Sequence, residues 1–112
     1  MARAIVHSGV CGFVTEITAQ TSDGQTIQLQ IDSGCPNVQR LAAEVGNLAI
    51  DGWAEIMRPR GDGANLSPLA QRFIASIPHP GCPVYSGLVK VIEVTLGTAL
   101  PADVHITLHR DG

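Results

Sequence analysis

Residues 13–31, FVTEITAQTSDGQTIQLQI, decide the fold of this chain because they contain two alternating patterns separated by a turn signal. Residues 13–19 and 27–31 each place apolar or small side chains at every second position, a period that is typical of half-buried strands. Between them lies Asp23-Gly24, a hairpin signal because glycine readily adopts the positive φ that such turns require. The stretch therefore predicts an antiparallel β-hairpin with one buried face.

Strand patterns also occur near both ends of the chain. Residues 3–7, Arg-Ala-Ile-Val-His, are predicted to form a short strand that Ser8-Gly9 ends. Near the C-terminus Val104, Ile106 and Leu108 alternate with polar residues, which predicts a closing strand at an edge of the sheet. A sheet with such an edge can form a homodimer by edge pairing.

Four helical patterns lie between these strands, each with apolar residues at the i, i+3, i+4 spacing of one helix face. The first follows Cys35-Pro36, the third follows Ser67-Pro68 and the fourth begins at Cys82-Pro83, whereas residues 59–66 are predicted to be the longest exposed loop. The inward residues are Val38, Leu41, Ala42 and Val45; Ile50, Trp53, Ala54 and Met57; Leu69, Phe73, Ile74 and Ile77; and Leu88, Val91, Ile92, Thr95 and Ala99.

These patterns predict a single α+β domain over residues 1–112, in which three to four helices pack on one face of a small antiparallel sheet of three to four strands. The chain is 45% apolar but only 4% aromatic, so its core is expected to consist of Val, Ile, Leu and Ala. A length of 112 residues suits one such core.

Charge and hydropathy restrict the partners and the compartment. The formal charge is −3, and Lys90 is the single lysine among seven basic residues, which argues against binding to nucleic acid. No stretch of 18 apolar residues is present, so we expect no membrane span. The first residues lack the apolar run of a secretory signal, and a cytoplasmic location with reduced thiols is therefore expected.

The chemistry of the sequence is concentrated in three cysteines, Cys11, Cys35 and Cys82. An odd number cannot pair completely within one chain, and all three lie at predicted element ends. Helix N-termini stabilise thiolates, which both metal binding and nucleophilic attack require. Each cysteine also has a glycine neighbour, which permits close backbone approach to a bound metal or cluster; these neighbours are Gly12, Gly34 and Gly81.

Three thiolates suit an iron-sulfur cluster or, alternatively, zinc. His79 lies three residues before Cys82 and is the best candidate for a fourth ligand. No paired carboxylates suited to acid-base catalysis are evident in the sequence, so a metal-binding protein is favoured over an enzyme.

The cysteine segments resemble those of the U-type iron-sulfur cluster scaffold proteins. The resemblance covers roughly residues 11–97: Cys11-Gly12 opens a hairpin, Gly34-Cys35 leads into a helix, and Cys82 precedes the longest helix. The chain differs from that family at Phe13, where the scaffold proteins carry an acidic residue, and at Gly81, where they carry a histidine. The segments CGF, SGCP and HPGCPV are also similar to those of a small uncharacterised prokaryotic three-cysteine family.

The scaffold resemblance implies a cluster held by Cys11, Cys35 and Cys82, a role in cluster assembly or transfer, and partners among iron-sulfur assembly or acceptor proteins. Two alternatives remain open from the residues. The first is a thiol-dependent sulfur carrier or transferase in which Cys35 or Cys82 is the nucleophile. The second is a metal-free interaction module whose cysteines only pack.

Overall fold

The computed structural model describes residues 1–57 and 66–112. Most of the predicted loop at 59–66 therefore lies outside the described residues. The fold is α+β, as the sequence predicts, with a four-stranded antiparallel sheet and four helices. The elements in chain order are β1 (Ala2–His7), β2 (Val14–Gln20), β3 (Thr26–Ser33), α1 (Pro36–Val45), β4 (Ile50–Asp51), α2 (Gly52–Ile56), α3 (Pro68–Ser76) and α4 (Val84–Thr95).

The predicted hairpin forms the centre of the sheet, whose strand order is β1-β2-β3-β4. β2 and β3 pair antiparallel with Ile17 opposite Ile31. The turn between them places Gly24 at a φ of +74°, and the Asp23 carboxylate accepts hydrogen bonds from the backbone N–H groups of Gln25 and Thr26 at 2.9 and 2.7 Å. Gly24 therefore has the positive φ that the sequence predicts, and the Asp23 carboxylate stabilises the turn.

One face of the sheet is buried beneath the helices. The alternate β2 residues Thr15, Ile17 and Ala19 are fully buried, while α4 packs on β1 and β2, and α1 packs on β3. α3 packs against α1. Aliphatic side chains make up most of the core, as the scarcity of aromatic residues predicts.

Two glycines allow α4 and α2 to lie very close to their neighbours. A Cβ at Gly87 would lie 2.5 Å from Val6 Cγ2 and 3.2 Å from Ile17 Cδ1. At the other end of α4, a Cβ at Gly52 would lie 2.9 Å from Leu96 Cδ1. The start of α4 therefore lies over β1 and β2, and its end lies beside the start of α2.

The second predicted helix begins later than its apolar pattern suggests. Ile50 and Asp51 pair with β3 as a two-residue strand, and the Asp51 carboxylate then caps α2 by accepting from the N–H groups of Trp53 and Ala54. Trp53, predicted to face inward, is 38% exposed, and its indole N–H donates to the carbonyl of Gly24 at 2.8 Å. The Asp51 cap and the bond from the indole to Gly24 together determine the orientation of Trp53. In α3, likewise, the predicted inward residue Ile74 is exposed.

The predicted closing strand is absent, because residues 100–112 form no helix or strand and are exposed. α4 ends at Thr95, so Ala99 lies beyond the helix on which it was predicted to face inward. Gly97 has a φ of +77°, and Thr98 N–H donates to the carbonyl of Glu93 at 2.9 Å. This is the geometry of a Schellman cap, which turns the chain out of the helix before the alternating segment begins.

A buried carboxylate joins α2 to the start of α3. Glu55 is 3% exposed, and its Oε1 accepts from the N–H of Leu69 at 3.2 Å, while Ser67 Oγ caps the same helix through Ala70 N–H. A carboxylate at a helix N-terminus is favoured by the exposed N–H groups and the helix dipole. Its second oxygen has no hydrogen-bond partner within the described ranges.

Gly87→Ala is expected to destabilise the protein although alanine is the better helix former by about 1 kcal/mol. The new methyl would overlap Val6, whose β-branched side chain is stiff, and such overpacking costs about 1–3 kcal/mol. Urea unfolding monitored by circular dichroism measures the change. In a Val6→Ala background the same substitution should cost clearly less, and Gly81→Ala, where no atom lies within 4 Å, serves as the control. An equal cost in both backgrounds would contradict the contact.

Asp23→Ser is expected to lower the stability most at neutral pH. Hydrogen bonds from the backbone N–H groups of Gln25 and Thr26 lower the pKa of Asp23 from 3.8 to about 2. The charged carboxylate therefore contributes stability that is fully present above the unfolded pKa and is lost as the pH falls through the folded pKa. The difference in unfolding free energy between wild type and variant should shrink from pH 5 towards pH 2. Asp111→Asn in the exposed C-terminal segment should show no such trend, and a pH-independent difference at Asp23 would refute the assignment.

Candidate thiol site at one end of the sheet

The strand pairing brings Cys11 and Cys35 to the same end of the sheet. β1 ends at His7 opposite Val14, where β2 begins, and β3 ends at Ser33 opposite Thr15. The β1–β2 loop containing Cys11 and the β3–α1 junction containing Cys35 therefore leave the sheet side by side.

The helices bring Cys82 to that end as well. Gly87 in the first turn of α4 lies against Val6 near the end of β1, which places the connection before α4 over the same end of the sheet. Arg40 of α1 donates to the carbonyl of Ser76 at the end of α3 at 3.2 Å. The α3–α4 connection thus begins beside α1 and ends beside β1, and we call this end of the sheet, with Cys11, Cys35 and Cys82, the thiol end.

The loop that carries Cys11 is a short closed turn. Ser8 N–H donates to the carbonyl of Phe13 at 3.1 Å, and Gly12 N–H donates to the carbonyl of Gly9 at 2.9 Å. Both glycines have positive φ values, +84° and +75°, which other residues rarely adopt. Cys11 is exposed near the tip of this turn. The Gly12 predicted from the sequence is therefore required by the turn itself.

Phe13 holds this loop against the junction that carries Cys35. A Cβ at Gly34 would lie 3.3 Å from Phe13 Cδ1, so the ring rests on the backbone just before Cys35. Phe13 is the position at which the chain differs from the scaffold proteins, and here its ring has a structural role. Of the three glycines predicted to line the site, Gly34 is the one that a close side-chain contact requires.

Cys35 is the N-cap residue of α1, with Pro36 in the first turn. Its N–H donates to Ser33 Oγ at 3.1 Å, and the same oxygen accepts from the Thr15 hydroxyl at 2.8 Å. These bonds fix the Cys35 backbone, whereas its side chain caps none of the N–H groups in the described first turn. The half-buried thiol therefore lies at a helix N-terminus where N–H groups lack a side-chain cap.

Cys82 lies one residue further from its helix than the sequence predicts. Its N–H donates to the carbonyl of His79 at 3.1 Å, which closes a turn over residues 79–82, and Pro83 is the N-cap of α4. Cys82 is half-buried and packs against the core, as does Cys35. His79 and Gly81 are exposed on the turn, and among residues 1–57 and 66–112 no atom beyond its chain neighbours lies within 4 Å of the Cβ position of Gly81.

The three thiols are free and share one end of the sheet, but they do not form an assembled ligand set. Within residues 1–57 and 66–112, no group of three or more His, Cys, Asp or Glu side chains is arranged to hold a metal ion. Cys35 and Cys82 are partly buried on the core side, whereas Cys11 projects from its loop. The donor set suits a thiophilic metal, and the described geometry would have to rearrange before all three thiols could bind the same group.

Sequence reasoning did not identify the side chains that support the thiol end. Ser33 fixes the β3–α1 junction because its Oγ accepts from the Cys35 N–H and the Thr15 hydroxyl. Arg40 joins α1 to the end of α3 through the Ser76 carbonyl. Ser33 lies within the SGCP segment, and serine side chains commonly form hydrogen bonds with nearby backbone groups. This contact therefore had a local sequence signal. The Arg40 contact joins residues 36 positions apart, and no local pattern predicts it.

Comparison with known proteins gives a family but no activity. No curated protein and no solved structure is significantly similar to the chain. None of the helices in the described residues is long and apolar enough to cross a membrane. The profile of DUF6951, a family of unknown function, matches residues 2–108, including all three cysteines. The chain therefore belongs to this family of unknown function.

Proposed function

We propose that this protein binds an iron-sulfur cluster, or alternatively zinc, through Cys11, Cys35 and Cys82. The observation that carries the proposal is that three separate connections, each with one free cysteine, leave the fold at the thiol end. Thiolate sulfur is the ligand of iron-sulfur clusters and of many zinc sites. The role is binding, with cluster assembly or transfer as its purpose, rather than enzymatic catalysis.

The different exposures of the thiols suit a site that is completed on binding. Cys35 and Cys82 are half-buried against the core, which fixes them, while Cys11 lies on a six-residue loop between two strands. Closure of that loop over the Cys35 junction would bring the Cys11 thiol towards Cys35. Because Phe13 anchors the loop at its β2 end, the movement is confined to the turn around Cys11.

His79 is the proposed fourth ligand. It lies on the turn whose backbone bond ends at Cys82, and its side chain is exposed, so it is available without unfolding any element. A ligand held on an exposed turn can be exchanged, which suits transfer to an acceptor protein. Iron-sulfur assembly or acceptor proteins are the partners that this role requires, and the reducing cytoplasm is the proposed compartment.

The direct test is the iron, zinc and acid-labile sulfide content of protein purified without oxygen and after reconstitution. Near-stoichiometric metal is expected in the wild type, and Cys11→Ser, Cys35→Ser and Cys82→Ser should each retain less than about a tenth of it, because every ligand is needed to complete the site. His79→Ala should lower retention less severely, with His105→Ala in the C-terminal segment as the matched control. Circular dichroism spectra must show that each variant is folded. Wild-type protein without metal even after reconstitution would refute the proposal.

A thiol-dependent sulfur carrier or transferase is the second candidate, favoured by the position of Cys35 at an N-terminus whose first-turn N–H groups lack a side-chain cap. Such a helix end stabilises the thiolate that a nucleophile needs. Pulsed alkylation with mass spectrometry distinguishes the two functions. A carrier has one dominant reactive thiol and tolerates substitution of the other two, whereas the metal site protects all three thiols together when it is loaded.

A further inference from the structure

The C-terminal segment has the pattern of a strand but no strand partner in the described structure. Val104, Ile106 and Leu108 are 58%, 74% and 87% exposed and alternate with polar residues. Such a set of exposed apolar side chains is costly in water and is typical of an interaction surface. The family match extends to residue 108, so this segment belongs to the family domain.

The other unpaired feature is the outer edge of β1. Within the described residues β1 pairs with β2 alone, which leaves one edge of a six-residue strand open. Its sequence, ARAIVH, contains no proline or lysine, two residues that commonly protect such edges, and Nη1 of its one charged residue, Arg3, lies 3.7 Å from Glu16 Oε1 of the neighbouring β2. Ile5 on this strand is 54% exposed. A free strand edge readily accepts an additional strand.

We propose that residues 103–108 of one copy add to β1 of a second copy as an antiparallel strand, and that the exchange is reciprocal. Two copies related by a twofold axis would then each gain a fifth strand from the partner. This arrangement uses both unpaired features at once, and the length of the segment matches that of β1.

The side chains of the two segments are complementary in one register. Ala2, Ala4 and Val6 are the half-buried, inward-facing residues of β1, and two of them are small. Antiparallel partners point to the same face, so larger apolar residues opposite them would extend the core. The proposed pairs are Ala2 with Leu108, Ala4 with Ile106, and Val6 with Val104.

The opposite face of the same register carries the polar residues of both segments, apart from Ile5, which lies opposite His105. There His7 lies opposite Asp103, and Arg3 lies opposite Thr107. Directly paired polar residues such as His7 and Asp103 can form a hydrogen bond across the two strands. A shift of the register by one residue would instead place the polar residues of the segment on the core face.

The connection from α4 favours a second copy over the chain's own β1. Leu96 Cδ1 lies 2.9 Å from the position that a Cβ at Gly52 would occupy. Gly52 directly follows β4, the strand at the edge of the sheet opposite β1. To run antiparallel along its own β1, the segment would have to enter at the His7 end, across three strands and along the length of β1. The added strand would lie four strand spacings from β4, so strand spacing and rise make this path roughly 26 Å. The seven Cα steps from Leu96 to Asp103 span at most about 25 Å when fully extended, and the helix cap at Leu96 and Gly97 shortens this reach further.

Sedimentation equilibrium of the full, reduced chain tests the proposal, with reductant present so that no disulfide can join two copies through Cys11. The wild type is expected to be a dimer. Thr107→Pro should raise the dissociation constant of the dimer by about tenfold or more, because proline removes a strand N–H and restricts the backbone. The site is exposed and outside every helix and strand, so the fold should be retained, as circular dichroism can verify. Asp111→Pro, just beyond the proposed strand, is the matched control.

The arrangement itself is tested by isotope-filtered NMR on a mixture of labelled and unlabelled protein. Intermolecular contacts between the methyl groups of Val6 and Val104 are expected. A wild type that is monomeric up to ~1 mM would overturn the proposal. So would a Thr107→Pro variant that dimerises as tightly as the wild type.

Discussion

The close packing of α4 across the sheet is the constraint on which the other features depend. Gly87 lets the first turn of the helix rest on Val6 and Ile17, and Leu96 packs at Gly52 beyond its last turn. Without a Cβ at these two positions the helix can lie nearly on the strands. The helix consequently runs from the end of β1, where the thiols are, towards the β3–β4 edge, where the C-terminal segment begins.

The two ends of this helix have different chemical features. At its start, a turn closed by the His79 carbonyl carries Cys82 at the thiol end, the end of the sheet at which β1 and β3 also finish. At its other end, the Schellman cap at Gly97 releases an exposed alternating segment. A dimer formed through that segment would occupy the outer edge of β1. The β1–β2 loop, which carries Cys11, would remain outside the paired strands, at the end of β1.

The hairpin, the first and third helices and the overall class could be predicted from sequence because their signals are local. The Asp23-Gly24 turn, the alternation around Ile17 and the Ser67-Pro68 helix start all act within a few residues, and the structure has all three. The second helix was predicted too early because Ile50 fits a helical period as well as a strand, and its pairing with Ile27 of β3 decides between them. No short pattern contains that tertiary contact.

The closing strand shows another limit of local patterns. The alternation of Val104, Ile106 and Leu108 is real, but a strand requires a partner edge, and the path from Gly97 determines whether one is within reach.

The thiol end was only partly predictable, because its assembly also depends on contacts between distant parts of the chain. The positions of the cysteines at element ends could be read from the sequence, whereas the relative placement of their connections depends on long-range contacts such as that between Arg40 and Ser76.

The measurement that tests the account most directly is a Zn²⁺ titration of the reduced, ¹⁵N-labelled protein followed by amide NMR spectra. If the thiol end is a single binding site, the amide signals of residues 8–13, 33–36 and 79–83 will shift together and saturate at one equivalent of metal, while those of residues 20–26 at the opposite end of the sheet remain unchanged. Shifts confined to one of the three segments, or no saturable shifts at all, would contradict a site shared by Cys11, Cys35 and Cys82.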